Sequence, residues 1–185
     1  MSLTPRTKYS GFAMALHWLI AVLVIVQWQL SVAAEAAPTR EAGGAIMANH
    51  FALGVVIFVV VALRLAWRQV SPPPPQVPGH APWERAFARL VHGAFYVLLL
   101  AMPVAGWIAL SSFGEPISIW GLFNVPALPV PQNEALGETI FELHGASGIA
   151  LLVLAALHAA AALKHTFIDK DGTLFRMLPF GSARN

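Results

Sequence analysis

"HGASGIALLVLAALHAAAALKH", residues 144–165, sets three histidines in a run that is otherwise almost wholly apolar. His144, His158 and His165 stand 14 and then seven residues apart. An α-helix turns about 100° per residue, so either step returns to within roughly 20–40° of the same face. Read as a helix, the stretch carries all three imidazoles on one stripe. The chain around it suits a hydrocarbon solvent: 57% hydrophobic residues, 11% charged residues and a mean hydropathy of +0.67 are too apolar for an ordinary soluble domain of 185 residues.

Crossing a hydrocarbon core of about 30 Å takes about 20 apolar residues. Four segments are long enough, at about 14–34, 46–65, 90–112 and 139–163. The expected fold is an all-α, integral-membrane four-helix bundle, one domain over residues 1–185. The first segment is longer than the apolar stretch of a signal peptide and is followed by another span, so it counts as a helix. Lys and Arg are retained on the cytoplasmic side of a membrane. Arg6 and Lys8, then Arg64, Arg68, Arg85 and Arg89, then Lys164, Lys170, Arg176 and Arg184 put ten of the 11 basic residues on one side. Both termini are therefore expected in the cytoplasm. The opposite loops hold only Arg40, against Glu35, Glu41, Glu115, Glu134, Glu138 and Glu142. Topology accounts for the basic residues, so the charge is no sign of nucleic-acid binding.

"SPPPPQVPGHAPW", residues 71–83, cannot sustain a helix because its prolines lack an amide donor and fix φ. It reads as a stiff spacer between two helical hairpins, with His80 solvated. The outer loop, 113–138, contains "ISIWGLFNVPALPV", apolar yet broken by Gly121, Pro126, Pro129 and Pro131, and is expected to cap the bundle at the interface. Pro103 and Gly106 should kink the third helix. "HFALG" at 50–54 and "HGASG" at 144–148 share a His-x-x-x-Gly pattern that leaves a bare face one turn beyond each imidazole. Small residues also serve close helix packing in membranes, so the pattern is weak alone.

Depth gives the histidines their weight. His17 and His158 each lie four or five residues, roughly 6–8 Å, inside the cytoplasmic boundary, and His50 and His144 lie at a similar depth from the outer one. The 14-residue step from His144 to His158 separates the two levels by about 21 Å. A single intramembrane histidine can simply hydrogen-bond across a helix interface, but an ionisable residue there is costly and by default points to function. Zinc and di-iron centres usually want Cys or carboxylate ligands as well, and the one acid inside a span, Glu142, lies near its end. A Schiff base would need a mid-helix Lys. With no cysteine there is no disulfide, no thiol chemistry and no covalent CxxCH haem attachment. Two imidazoles per iron suit haem b held non-covalently.

Four segments together resemble the bacterial cytochrome b561 family, within a wider group of four-helix di-haem cytochromes b: "YSGFAMALHWLIAVLVI" (9–25), "NHFALGVVIFVVVALRLAWR" (49–68), "HGAFYVLLLAMPVAGW" (92–107) and "HAAAALKHTFIDKDGTLFRMLP" (158–179). The resemblance implies a multi-pass protein of the bacterial inner membrane holding two haems b. His17 and His158 would be the axial ligands of the inner haem iron, and His50 and His144 those of the outer one. It further implies superoxide as electron donor and ubiquinone as acceptor. Filled axial positions leave electron transfer as the remaining job.

The ends of this path are read from the flanking residues. His165, two turns beyond His158 beside Lys164, is expected to hydrogen-bond a quinone and supply its proton, although an interface histidine at a membrane boundary is equally ordinary. His92 near the inner level, with no free partner histidine, and Arg64, Arg68 and Arg89 stand where haem propionates or quinone would find a donor; topology alone also puts arginines there. An outer face with one base against six acids opposes an anionic donor. Either Arg40 and backbone amides make a local funnel, or the donor differs. The alternative is a cytochrome b anchor subunit that exchanges electrons with a docked partner redox protein, for which the apolar outer loop offers a surface; a haem-free helical scaffold is the third reading.

Overall fold

The structure, a computed structural model, describes residues 7–77 and 79–182; Arg6, Pro78 and Arg184 lie outside the described residues. Four helices carry the chain: α1 (Gly11–Glu35), α2 (Arg40–Val70), α3 (Pro82–Ser112) and α4 (Glu134–Phe167). All four are long and apolar enough to cross a membrane. Each extends past its expected span, because counting apolar residues measures only the part that meets lipid. The true ends are set by caps. Ser10, Thr39 and Asn133 accept the N–H groups of Ala13, Ala42 and Leu136 at 3.3, 3.1 and 3.1 Å. Pro82 occupies the first turn of α3, where no amide is needed, and Glu84 accepts the Ala81 N–H at 2.8 Å. The proline run from 72 to 75 stays non-helical as expected, whereas α3 continues unbroken through Pro103.

Helix α1 packs along α2 and α3 along α4, and α2 also packs on α3. The core joining α1, α2 and α3 is Ile20, Leu53, Ile57 and the fully buried Val61, flanked by Leu23, Tyr96 and Leu99. Val22, Ile25, Val59, Val97, Val153 and Leu157 point outward instead, as they should when the solvent is lipid. Between lipid-solvated helices close approach, rather than water exclusion, holds the bundle. The α1–α2 turn depends on such an approach: a Cβ on Gly43 would stand 2.9 Å from the Ala34 carbonyl oxygen.

The outer loop adds a short hairpin to the all-α bundle. Strands β1 (Ile117–Ile119) and β2 (Phe123–Val125) form an antiparallel hairpin, with Ile117 opposite Val125 and Ile119 opposite Phe123. Its turn holds Trp120 and Gly121 at φ of 49° and 75°, a conformation natural for glycine and uncommon for tryptophan. Alternation buries Ile117 and Ile119 against Ala52 and Leu110, so the loop does cap the bundle. Trp120 Nε1 donates to Asn49 Oδ1 at 3.1 Å and Trp107 Nε1 to the Pro126 carbonyl at 3.0 Å.

Gly43→Ala should lower stability by about 1–3 kcal/mol, the usual cost of overpacking, whereas Gly44→Ala, with nothing within 4 Å of the added carbon, should not. Thermal unfolding of the two variants in one detergent checks the contrast; equal midpoints would remove the close approach from the account.

Candidate functional site

The four spaced histidines meet in pairs. The His17 and His158 rings, from α1 and α4, have centroids 6.3 Å apart and planes at 79°. The His50 and His144 rings, from α2 and α4, are 6.1 Å apart at 66°. All four are half-buried. At the hairpin end the ring tautomers follow from partners that can only accept. His50 Nδ1 lies 3.2 Å from the Gln27 carbonyl and His144 Nδ1 3.1 Å from the Met102 carbonyl, so each Nδ1 carries the proton and each Nε2 keeps a bare lone pair. Gln27 binds reciprocally, its Nε2 donating to the His50 carbonyl at 2.9 Å, while its Oε1 is buried without a partner among the described residues. Gly106 lies beside the second ring: a Cβ there would stand 3.5 Å from His144 Cε1, an ordinary van der Waals contact.

These separations can be compared with what one iron between two rings requires. An imidazole nitrogen bonds a first-row metal at about 2 Å, and adding roughly 1 Å of ring radius on each side puts the centroids about 6 Å apart. Both pairs fit. His92 also contacts His158, at 5.4 Å, which is shorter than that arrangement needs, and Phe95 stands at 5.4 Å on the same ring. His92 thus has a histidine neighbour that its sequence position did not reveal. The bare faces beyond His50 and His144 abut neighbouring helices at ordinary contact distance, Gly54 against Gln27 and Gly148 against Met102. Arg64 lies within electrostatic reach of His17 and His92, and donates from Nη1 to the Ala13 carbonyl at 2.5 Å. Arg68 reaches only His92 of these. Arg89 is exposed and makes no side-chain hydrogen bond or ion pair among the described residues.

Beyond the His17–His158 level, the end carrying both termini is closed by a polar clasp. Lys8 Nζ donates to the carbonyls of Leu178, Phe180 and Gly181 at 3.2, 3.2 and 2.6 Å. Arg176 joins the Thr7 and Pro75 carbonyls, and Trp18 Nε1 donates to the Met177 carbonyl at 2.8 Å. His165 Nδ1 lies 2.9 Å from both Asp169 Oδ2 and Asp171 Oδ2. His80, expected in solvent, is instead held: its Nε2 is 2.7 Å from Asp171 Oδ2 and its ring 4.6 Å from that of His165. The connection folds back over the end of α4, which sequence spacing alone could not reveal. Burial pushes the Asp171 carboxyl up, but hydrogen bonds from His80 and Thr173 and the charge of His165 outweigh it and hold the pKa at about 2.

Comparison with known proteins decides the family. The sequence profile of prokaryotic cytochrome b561 matches residues 8–180. The chain belongs to the prokaryotic cytochrome b561 family. It is 34% identical to "Cytochrome b561 homolog 2" of Escherichia coli K12, covering 97% of this chain and 95% of the relative. It is 31% identical to "Probable superoxide oxidase CybB" of Yersinia pestis over 93% and 96% of the two chains, and 30% identical to "Cytochrome b561 homolog 1" of E. coli K12 over 93% and 97%. Membership makes this a multi-pass inner-membrane protein of transmembrane electron transfer, in a family that binds haem b.

Within this cytochrome b561, sequence spacing led to the four paired histidines but missed Gln27 and His80. Two amides, Gln27 and Gln29, in the apolar run "VIVQWQL" were the available signal for Gln27. Because the folded pKa of Asp171 lies below its ordinary 3.8, its ionised form stabilises the clasp fully above about pH 4, and that contribution falls away as pH drops toward about 2. The carboxyl ¹³C resonance of Asp171, followed in chelator-containing buffer, should titrate near pH 2; a midpoint at 3.8 would mean that the clasp does not hold the carboxylate.

Proposed function

We propose that this cytochrome b561 oxidises superoxide at its hairpin end and reduces ubiquinone at the end carrying the termini, the first facing the periplasm and the second the cytoplasm. The observation that carries the transmembrane path is the two ring pairs, at 6.1 and 6.3 Å, on opposite halves of one bundle. The choice of superoxide draws on the relative named as a probable superoxide oxidase. The excess of basic residues beside the termini supports the orientation.

In this reading His50 and His144 hold the outer haem and His17 and His158 the inner one. When bound, the two haems b supply one-electron oxidation and reduction at two depths. The Gln27 and Met102 carbonyls orient the outer imidazoles, as outer partners of metal-ligating histidines do. Held by two histidines each, the haems would supply electron transfer and not dioxygen binding. Two superoxide anions lose one electron each and leave as dioxygen; one ubiquinone takes the two electrons and two protons and leaves as ubiquinol. Arg40, the one base among the outer loops, lines a shallow cavity of about 340 Å³ with Thr39, Gly43, Gly44 and Glu35 at the start of α2. That helix end adds partial positive charge to the guanidinium, a local attraction for an anion within an acidic face. At the other end His165, hydrogen-bonded to carboxylates, hands a proton to the quinone and recovers one from water.

A partner-docked reading draws on one observation: Trp120, Leu122 and Phe123 at the hairpin tip are 53, 80 and 59% exposed. Stable co-purification of a second redox protein would favour it.

Pulse-generated superoxide should reduce the b-type absorption of the purified protein, and no reduction would sink the assignment. Arg40→Ala should slow that reaction several-fold and flatten its salt dependence. His50→Ala and His17→Ala should each cut haem content from two to one per chain. His165→Ala should keep superoxide-driven haem reduction but form quinol at least about tenfold more slowly, the scale of general acid catalysis.

A further inference from the structure

His80, His165 and Asp171 come from three stretches of the chain: the proline-rich connection, the last turn of α4 and the segment after it. One ring nitrogen from each histidine and one carboxylate oxygen all lie within 4.8 Å of one another. We propose that these three side chains form a binding site for a divalent transition-metal ion of the zinc type. Two imidazoles with one carboxylate are donors that such an ion accepts at about 2.0–2.2 Å, with a fourth position left for water. Both rings already aim at one oxygen, His80 Nε2 at 2.7 Å and His165 Nδ1 at 2.9 Å from Asp171 Oδ2. Admitting an ion widens these separations to roughly 3.3 Å, the edge of a tetrahedron with such bonds. For these two edges that is a widening of about 0.4–0.6 Å at side-chain tips, from 2.9 and 2.7 Å.

The surroundings hold the donors for this role. The Thr173 N–H donates to Asp171 Oδ1 at 2.8 Å and leaves Oδ2 facing the rings. Arg85 Nη1 donates to the His80 carbonyl at 2.5 Å and fixes the backbone beneath that ring. Asp169 also approaches His165, but Lys164 engages it at 2.8 Å. Side-chain exposures of 20% for His80, 18% for His165 and 12% for Asp171 leave the site shielded yet reachable from water. A bound ion ties the α2–α3 connection to the end of α4. The site rests on three ligand atoms and not on the identity of the electron donor or acceptor, so either can fail without the other.

The test uses the haem-loaded protein, its purification tag removed and stray metal stripped by chelator, titrated calorimetrically with zinc chloride. One saturable Zn²⁺ per chain is expected, with a zinc K-edge absorption spectrum showing imidazole ligands and a thermal midpoint raised by zinc. His80→Gln keeps a hydrogen-bond donor toward Asp171 but removes the ligand, and Asp171→Asn removes the anionic oxygen. Each should weaken binding at least about tenfold and abolish the zinc-dependent rise in midpoint, with helix content and haem spectrum unchanged. Absence of saturable binding in the wild type, or equal affinity in both variants, overturns the proposal.

Discussion

Every backbone polar group inside a bilayer must find its partner within the protein, because hydrocarbon offers none. That constraint organises this molecule. It forces the backbone into four helices, and it leaves each buried imidazole only a few acceptors to lean on. His50 and His144 lean on carbonyls of neighbouring helices through Nδ1, which leaves the opposite nitrogen of each ring free of that contact. The same rule explains the two-way contact of Gln27 with the backbone and ring of His50. Outside the hydrocarbon the rule relaxes, and the chain there is held by charge: one lysine gathers three carbonyls, and one aspartate gathers two histidines.

The two ends of the bundle are consequently built from different forces. The hairpin end is an apolar cap, in which alternate residues of a three-residue strand fill the space over Ala52 and Leu110 while two tryptophans tether it by their indole N–H groups. The end with both termini is a polar cap, stitched across more than 160 residues of sequence by Lys8 and Arg176. An anion approaching the first meets acidic residues with one arginine among them, whereas a proton approaching the second meets two histidines and a carboxylate.

Periodicity made the bundle legible, since four apolar runs of membrane-spanning length admit few other folds, and a 14-residue step on one helix fixes two depths. Helix ends were less legible, because polar residues such as Arg40 and Glu134 continue a helix once capped. The hairpin was hidden by a turn with tryptophan at positive φ, where sequence patterns look for glycine or asparagine. His80 was misread for a different reason. Its partner lies 91 positions away, and a proline-rich connection carries no periodic signal of where it folds.

Helix α4 contributes one ring to each pair, His144 to the upper and His158 to the lower, whereas α1 and α2 each serve a single level. A one-residue slip of α4 would swing both of its rings by about 100°, so the two levels cannot be misaligned separately. Whatever locks one pair has already chosen the rotation of α4 for the other. Assembly of the two levels is therefore a coupled event, with the first pair acting as a template for the second.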